Sequence, residues 1–336
     1  MKKIILKLKC GVIDNILKII IGLYIKQING GTLYIYLKRS PHENTSEPLK
    51  TSVVRARHSF SRLLQDDGGL LANLHHPEEP TIVDLFPKLK KYYTIVNTRD
   101  EMAKYYECDH YKFKCSNIKQ IEDFKLDIKQ KTVVIKDLLS CYKYVYTIYD
   151  LLEDEMREIF SINRKIITKK ILDITKEKYA CVHVKYGENI NMSLQNNQYC
   201  FLMYTPEFYK HIIKKIVEKK TKVYIITDDV NIVKKYILND IKSKNIILLD
   251  IDWWDSLYIM THAYCNVLSM NIFSFVGCII NKHLRETYIV TRPKEIKEYE
   301  IPEENILYNV PWYKKNNKKY ILNYDRSLME EMLSVR

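Results

Sequence analysis

The second half of the chain alternates short apolar runs with stretches of helical spacing. The apolar runs are nearly continuous, as in strands buried on both faces, and they lie at 179–185, 222–227, 245–250, 266–269 and 286–290. Between them apolar residues recur every three or four positions, which predicts helices at 206–219, 231–238, 255–264 and 273–281. Strands that alternate with helices in this way predict a parallel sheet covered on both faces.

The first half begins with the same pattern and then becomes irregular. A strand over 4–8, a helix over 14–27 and a strand over 32–37 are predicted. The segment 40–80 is rich in proline, glycine and polar residues and is typical of long loops. Beyond it the sequence predicts two strands and one long charged helix, at 94–97, 132–135 and 151–174.

These patterns predict an α/β chain with mostly parallel sheets. The predicted domains are 1–170, with an irregular 40–165 region, then 171–310, followed by a C-terminal extension over 311–336. The chain of 336 residues is long enough for two such domains.

A net charge of +13 points at first to an acidic partner. The charge comes from 43 lysines and only 11 arginines, whereas nucleic-acid readers favour arginine. Lysine, isoleucine, tyrosine and asparagine are abundant together, so a coding bias is a sufficient explanation. The 8 cysteines have no Cys-x-x-Cys spacing, which excludes zinc-ribbon and thioredoxin-like classes and favours a reducing compartment.

The apolar segment 1–25 resembles a signal peptide or membrane anchor only superficially. Lys7, Lys9, Asp14 and Lys18 interrupt it, and a membrane span needs about 20 apolar residues. We therefore expect a soluble, cytoplasmic protein without a transmembrane segment. Peripheral contact with a membrane and the oligomeric state stay open.

Three predicted strands of the second half end in polar residues. The ends are 183–188, 227–229 and 269–277. Ligands of such sheets bind beyond the carboxyl ends of the strands, so we expect these three ends to converge. The residues predicted to bind a ligand there are Lys185, Tyr186, Gly187, Asp228, Asp229, Ser269, Asn271, Phe273 and Ser274.

Each residue type suits part of a nucleotide diphosphate. Lys185 can neutralise the diphosphate, and the helix that begins near Phe273 can offer it backbone N–H groups. Asp228 can accept hydrogen bonds from a base edge. The alternative for each is structural, because Asp228 can cap the helix that follows it and Ser274 can simply lie in a first helical turn.

The ordered motifs resemble the α-1,2-fucosyltransferases of glycosyltransferase family 11 and related GDP-fucose-dependent enzymes. The family's His-x-Arg-Arg-Gly-Asp, Ser-Asp-Asp and Ser-Asn-Ser-x-Phe-Ser-Trp-Trp-Gly motifs are similar to 183–188, 227–229 and 269–277. Its Tyr-Tyr helix and its acidic-Leu-x-x-Met helix resemble the segments around 208–209 and 255–260. The family's Gly-Gly-Leu-Gly-Asn-Gln loop is similar to 10–15, which here contains Gly11, Asp14 and Asn15.

The resemblance implies a GT-B architecture, in which two Rossmann-like domains face a cleft. It implies inverting transfer of a sugar, with fucose as the family's sugar, from a nucleotide donor such as GDP-fucose to a glycan hydroxyl. It further implies no metal and no other cofactor, and it gives no reason to expect nucleic acid as a partner. Lys185 takes the place of the arginine that contacts the donor diphosphate, and Asp228 takes the place of an acidic residue that reads guanine.

The chain departs from the family at several motif positions. Tyr186 replaces the second arginine, Glu188 replaces the aspartate, and Phe275-Val276 replaces the aromatic pair. Lysine in place of arginine keeps the charge but loses the bidentate fork. The acceptor hydroxyl needs a base, and the sequence leaves Glu188, Asp14 and His183 open for that role.

Other function classes compete with this interpretation. Asp250 and Asp252 form an Asp-x-Asp pattern that could hold Mg²⁺ or Mn²⁺ in a metal-dependent GT-A transferase. The 27 tyrosines among many lysines could instead stack the bases of an RNA, in a polyanion-binding protein. A transferase-like fold without catalysis would share all these sequence features.

Overall fold

The computed structural model describes residues 3–8, 12–37, 80–96, 109–111, 132–135, 155–195, 203–269, 271–289, 312–314 and 326–335. These residues divide into two compact units, the first extending to Ile166 and the second beginning at Ile167. Each unit contains one parallel sheet. The predicted loops over 40–80 lie outside the described residues except for Pro80.

The first sheet has five parallel strands in the order β3-β2-β1-β5-β4. Its strands are β1 (Lys3–Leu8), β2 (Thr32–Leu37), β3 (Thr94–Val96), β4 (Asp109–Tyr111) and β5 (Thr132–Ile135). The central strand β1 pairs with β2 and β5 from Lys3 onward, and Ile4, Ile5 and Leu6 are fully buried. Apolar side chains on both faces are what a central parallel strand requires.

The helices of the first unit are α1 (Val12–Asn29), α2 (Ile82–Leu85) and α3 (Lys88–Tyr92). Helix α1 ends where Gly30 adopts a φ of +67°, a left-handed conformation that glycine takes without strain. Asn29 Nδ2 also donates to the Ile25 carbonyl at 3.0 Å. Helix α2 begins with a capping box, in which Thr81 and Asp84 exchange hydrogen bonds.

The prediction of one long helix over 151–174 is wrong. The described part of this segment contains helical residues 155–159, a 3-10 turn over Arg164–Ile166 and the helix α4 (Lys169–Ile174). The interruption has a clear partner, because the Asn163 N–H donates to the Leu85 carbonyl at 2.8 Å and its side-chain amide donates to the Asp84 carbonyl. Hydrogen bonding to the end of α2 replaces continuation of the helix.

The second sheet has six parallel strands in the order β8-β7-β6-β9-β10-β11. Its strands are β6 (Tyr179–Val184), β7 (Lys222–Thr227), β8 (Ile246–Leu249), β9 (Cys265–Val267), β10 (Glu286–Ile289) and β11 (Trp312–Lys314). The chain builds outward from β6 to β8 and then returns to β9 on the other side of β6. The strand order therefore reverses between β6 and β9, where open parallel sheets place their ligand site.

Helices follow these strands, four of them at the predicted segments 206–219, 231–238, 255–264 and 273–281. After α4 they are α5 (Gly187–Gln195), α6 (Pro206–Glu218), α7 (Val230–Ile232), α8 (Trp253–His262), α9 (Ile272–Ile279) and α10 (Arg326–Leu333). Helix α7 continues as a π-helix over Val233–Ile237. The two α/β units with parallel sheets confirm the predicted fold class.

Many tyrosines belong to the cores of these units. Tyr179, Tyr186, Tyr204 and Tyr209 are each at most 1% exposed. The Tyr186 ring meets Tyr209 edge-to-face at 6.0 Å, and Tyr204 packs against Phe208 at 4.7 Å. These buried rings cannot stack on the bases of an RNA, which removes part of the support for a polyanion-binding protein. No helix within the described ranges is both long and apolar enough to cross a bilayer.

Candidate functional site

The adjoining ends of β6 and β9 meet in a buried hydrogen-bonded triangle. His183 Nδ1 lies 2.8 Å from the Ser269 hydroxyl and 2.5 Å from the Ser274 hydroxyl. The two serine oxygens are 2.9 Å apart, and the Ser269 N–H donates to Ser274 Oγ at 3.2 Å. The triangle joins the last residues of two strands to the first turn of α9.

The three side chains of this triangle are buried, which indicates that they hold the structure together rather than contact a ligand. His183 and Ser269 are each 4% exposed, and Ser274 is 0% exposed. Asn271 caps α9, because its Oδ1 accepts from the Ser274 N–H at 2.8 Å. The N–H and the hydroxyl of Ser274 are both engaged, so the predicted contact of this side chain with a phosphate would require the triangle to open.

The Phe273 ring covers the same site. Its centroid lies 5.2 Å from that of the His183 ring, and Phe273 is 5% exposed. Phe273 therefore contributes apolar surface around the histidine. Because Phe273 lies in the first turn of α9, its backbone, rather than its ring, is the part suited to contact a nucleotide sugar.

Asp228 follows β7 and caps a helix that follows a different strand. Its Oδ1 accepts from the N–H groups of Tyr186 and Gly187 at 3.0 and 3.2 Å, and its Oδ2 accepts from the Glu188 N–H at 2.9 Å. These are the N–H groups at the beginning of α5. A carboxylate there satisfies unpaired donors and complements the helix dipole.

Asp229, the next residue, caps the next helix along the chain. Its side chain accepts from the Ile232 N–H at 3.0 Å, and it is 7% exposed. The following helix, α7, is therefore capped by Asp229 and not, as the structural alternative expected, by Asp228; Asp228 instead caps α5. A guanine could use only the acceptor capacity that these backbone contacts leave.

Lys185 and Glu188 form an ion pair at the carboxyl end of β6. The Lys185 ammonium contacts Glu188 Oε2, and the two side chains are 10% and 27% exposed. Glu188 lies in the first turn of α5 with its N–H held by Asp228. The residue predicted to hold a diphosphate and a residue predicted as a base are thus paired with each other.

The remaining residues of this strand end point inward. Tyr186 is 1% exposed, and its hydroxyl donates to the Tyr204 carbonyl at 2.6 Å. Its ring cannot contact a nucleotide sugar beyond the strand ends, and its backbone N–H and carbonyl are engaged by Asp228 and by the Ile190 N–H. The predicted contact of Tyr186 with the nucleotide sugar therefore has no support in its polar groups. Burial raises the pKa of the neighbouring Tyr209 hydroxyl well above its usual value. Gly187 is buried and begins α5.

The predicted loop after the first strand is described only in part. Gly11 lies outside the described residues, and Asp14 lies in α1, where its side chain is outside them too. Asn15 is also in α1 and is 7% exposed. The loop's contribution to a site therefore stays a prediction.

The Asp-x-Asp pattern lies beyond the edge strand β8. Asp250 and Asp252 are both exposed, and Asp252 is the residue that precedes the first turn of α8. Within the described ranges, no group of three or more His, Cys, Asp or Glu side chains is placed to hold a metal ion. The predicted ligand site at the carboxyl ends of β6 and β9 is separated from β8, because β6 is two strands away from β8 in the sheet.

The described cysteines are poor candidates for a nucleophile. Cys181, Cys265 and Cys278 are free and buried. Burial raises the pKa of all three thiols, that of Cys278 to about 12. A thiol held protonated in an apolar environment is unreactive. All three serve as small apolar side chains of the core.

Comparisons with known proteins leave the family open. No protein-family model matches the chain, and no curated protein matches it. Among solved structures the chain is similar to POFUT1 in complex with GDP-fucose, with 11% identity, a TM-score of 0.48 and coverage of 85% of this chain and 97% of that one. It is similar to the fucosyltransferase NodZ from Bradyrhizobium, with 12% identity, a TM-score of 0.43 and coverage of 82% and 91%.

TM-scores below 0.5 at such identities are too low to assign a family. The fold assignment therefore rests on the two parallel sheets themselves. Membership of glycosyltransferase family 11 stays a prediction from the motifs.

Sequence reasoning missed two features of this site. Helix α5 was not predicted, because its N-terminal cap is supplied by Asp228 from β7, 40 residues away from Glu188 in sequence. The Lys185–Glu188 pair was also missed, because Lys185 precedes α5 and no helical spacing signals the contact.

Proposed function

We propose that the chain is a glycosyltransferase that moves a sugar from a nucleotide-diphosphate donor to a glycan hydroxyl. The donor that the motif order favours is GDP-fucose. The proposal assigns the donor to the second unit, at the carboxyl ends of β6 and β9. A GT-B arrangement, inversion at the transferred sugar and independence from metal belong to the same proposal.

One observation carries the proposal. The strand order of the second sheet reverses between β6 and β9, and the His183–Ser269–Ser274 triangle draws together the two motif segments that follow these strands. A ligand at this switch point would meet Lys185 and the first turn of α9. The POFUT1 structure named above contains GDP-fucose, but the assignment of a donor to this chain rests on its own motifs and sheet order.

Transfer of the sugar requires that the negative charge on the departing diphosphate be neutralised. The acceptor oxygen bonds to the sugar C1 while the bond from C1 to the diphosphate oxygen breaks, and the acceptor proton passes to a base. Lys185 and the helix dipole at the start of α9 would stabilise the departing diphosphate. The start of α9 is preorganised, because the His183–Ser269–Ser274 triangle holds its first turn.

Glu188 suits the role of base better than His183. The His183 ring is 4% exposed and its Nδ1 already faces two hydroxyls, whereas the Glu188 carboxylate is 27% exposed. A general base must come within hydrogen-bond distance of the acceptor hydroxyl. We therefore assign proton removal to Glu188 and a structural role to His183.

A thermal-shift panel of nucleotide sugars tests the donor. GDP-fucose should raise the unfolding temperature of the full chain more than UDP- or dTDP-sugars do, since a ligand that binds only the folded state stabilises it. A larger response to a UDP- or dTDP-sugar would redirect the proposal to another donor. No response to any of them would contradict it. EDTA should leave donor turnover unchanged, and loss of turnover would favour a metal-dependent transferase.

Lys185→Ala tests the phosphate role. Removing a charge-assisted contact to the diphosphate should weaken donor turnover about 10- to 100-fold. Lys178→Ala is the matched control, because Lys178 precedes the amino end of β6 and lies over the Tyr264 ring at 3.6 Å. Undiminished donor consumption by Lys185→Ala would refute the assignment.

A further inference from the structure

At the carboxyl end of β6, the Glu188 carboxylate occupies the ammonium that an anionic ligand would need. Across the strand ends 183–188, 227–229 and 269–277, Lys185 is the only lysine or arginine. Its ammonium contacts the Glu188 carboxylate in a pair that is largely shielded on the lysine side. Any diphosphate that uses Lys185 must therefore share the ammonium with Glu188 or displace it.

The other two carboxylates at this edge have different partners. Asp228 accepts from three backbone N–H groups of α5, and Asp229 accepts from the Ile232 N–H of α7. Their charge is thus complemented by helix N-termini. Glu188 differs from them, because a lysine side chain is its partner.

We propose that Glu188 acts as an internal counter-ion that the donor diphosphate displaces from Lys185, so that Glu188 sets the affinity for the donor. This inference rests on the proposed function. The Glu188 N–H is anchored to Asp228 at 2.9 Å, so the displacement is a side-chain rotation that leaves α5 in place. The side chain is 27% exposed, and water is available to the released carboxylate.

Displacement also has a catalytic consequence. A carboxylate oxygen in contact with the Lys185 ammonium is not open to an acceptor hydroxyl, whereas a released one is. Arrival of the diphosphate would therefore free Glu188 at the moment when the acceptor hydroxyl needs a base. Donor binding and activation of the base would be coupled through one lysine.

Titration calorimetry with GDP, at one ionic strength, tests the displacement. Glu188→Gln keeps the size of the side chain and removes its charge, so GDP should bind about fivefold more tightly than to wild type. Guanosine, which has no phosphate, should show no such gain. Glu188→Ala gives the same comparison if the glutamine variant is poorly folded.

Two further variants show whether the effect passes through Lys185. In a Lys185→Ala background, Glu188→Gln should change GDP affinity by less than about twofold, as a double-mutant cycle requires of a shared interaction. Glu177→Gln is the matched control, since Glu177 pairs with Lys222 near the amino end of β7. Its GDP affinity should equal that of wild type.

The outcomes separate the two levels of the proposal. If wild type binds GDP and Glu188→Gln binds it no more tightly, the displacement is overturned and the proposed function stands. An equal gain for Glu177→Gln, or for guanosine, would also overturn it. If GDP binds neither wild type nor the Glu188 variants, the GDP-sugar donor and the displacement fall together.

Discussion

Asp228 allows the sharpest test of how this sheet edge is built. Its two carboxylate oxygens accept three backbone N–H groups of α5, at 2.9 to 3.2 Å. Asp228→Ala would leave those donors without the carboxylate and remove a negative charge from the helix N-terminus. We expect a loss of folding stability even when no nucleotide is present.

The size of the loss follows from the number of contacts. A helix-capping side chain contributes about 0.5–2 kcal/mol, and hydrogen bonds to charged groups contribute about 1.5–3 kcal/mol each. Asp228 is half-buried, so water recovers part of this, and we expect a net loss of about 3 kcal/mol. For a unit of this size the unfolding temperature should fall by about 6–12 °C.

Asp229→Ala is the matched control. The Asp229 carboxylate caps α7 through one N–H group, that of Ile232. Its loss should lower stability by about 1 kcal/mol, or about 2–4 °C. Thermal unfolding followed by far-UV circular dichroism, with both variants in the same buffer, gives the comparison directly.

The capping role of Asp228 is refuted if Asp228→Ala unfolds at the wild-type temperature, or if it loses no more folding stability than Asp229→Ala does. An unchanged unfolding temperature together with weakened GDP binding would mean that Asp228 reads the base and does little for α5. A large loss of stability in Asp228→Ala would mean that Asp228 serves mainly to cap α5, rather than to contact guanine as the motif resemblance implies.

Two further changes probe packing and burial in the same unit. Gly277→Ala should cost about 1–3 kcal/mol of folding stability, because its Cβ would lie 2.8 Å from Met260 Cβ. Gly22→Ala in α1 should cost less, because its one close contact would be with the end of the Leu6 side chain at 2.9 Å. Equal unfolding temperatures of the two variants would contradict this. Burial raises the pKa of the Asp255 carboxyl, so its stabilising contribution is present below the unfolded pKa and lost as the pH rises through the folded pKa. Asp255→Asn should therefore unfold at a higher temperature than wild type at pH ~7, and this gain should vanish towards pH ~4. A difference in unfolding temperature that does not change with pH would contradict this prediction.

The alternation of apolar runs and helical spacing predicted most of the second sheet. Strand β6 is buried along its whole length, so its sequence is a continuous apolar run that local periodicity can detect. Short edge strands such as β4 and β11 were not predicted. Their sequences, Asp-His-Tyr and Trp-Tyr-Lys, contain no apolar β-branched run, so their pairing with β5 and β10 decides their conformation.

The site was predictable in position and less so in detail. Polar strand ends and the alternation of elements placed His183, Ser269 and Ser274 at one edge, and the structure brings these three together. Side-chain partners depend on distances across strands, which no local pattern encodes. For that reason the three-donor cap by Asp228 and the burial of Tyr186 emerge only from the fold.

A crystal structure of the full chain soaked with GDP tests the central claim most directly. We predict the diphosphate at the carboxyl ends of β6 and β9, in contact with the Lys185 ammonium and the first turn of α9, with the Glu188 side chain rotated away from Lys185. GDP seated elsewhere, for example in the groove lined by Lys169, Lys170 and Tyr224, would contradict the account. So would an unchanged site at saturating GDP.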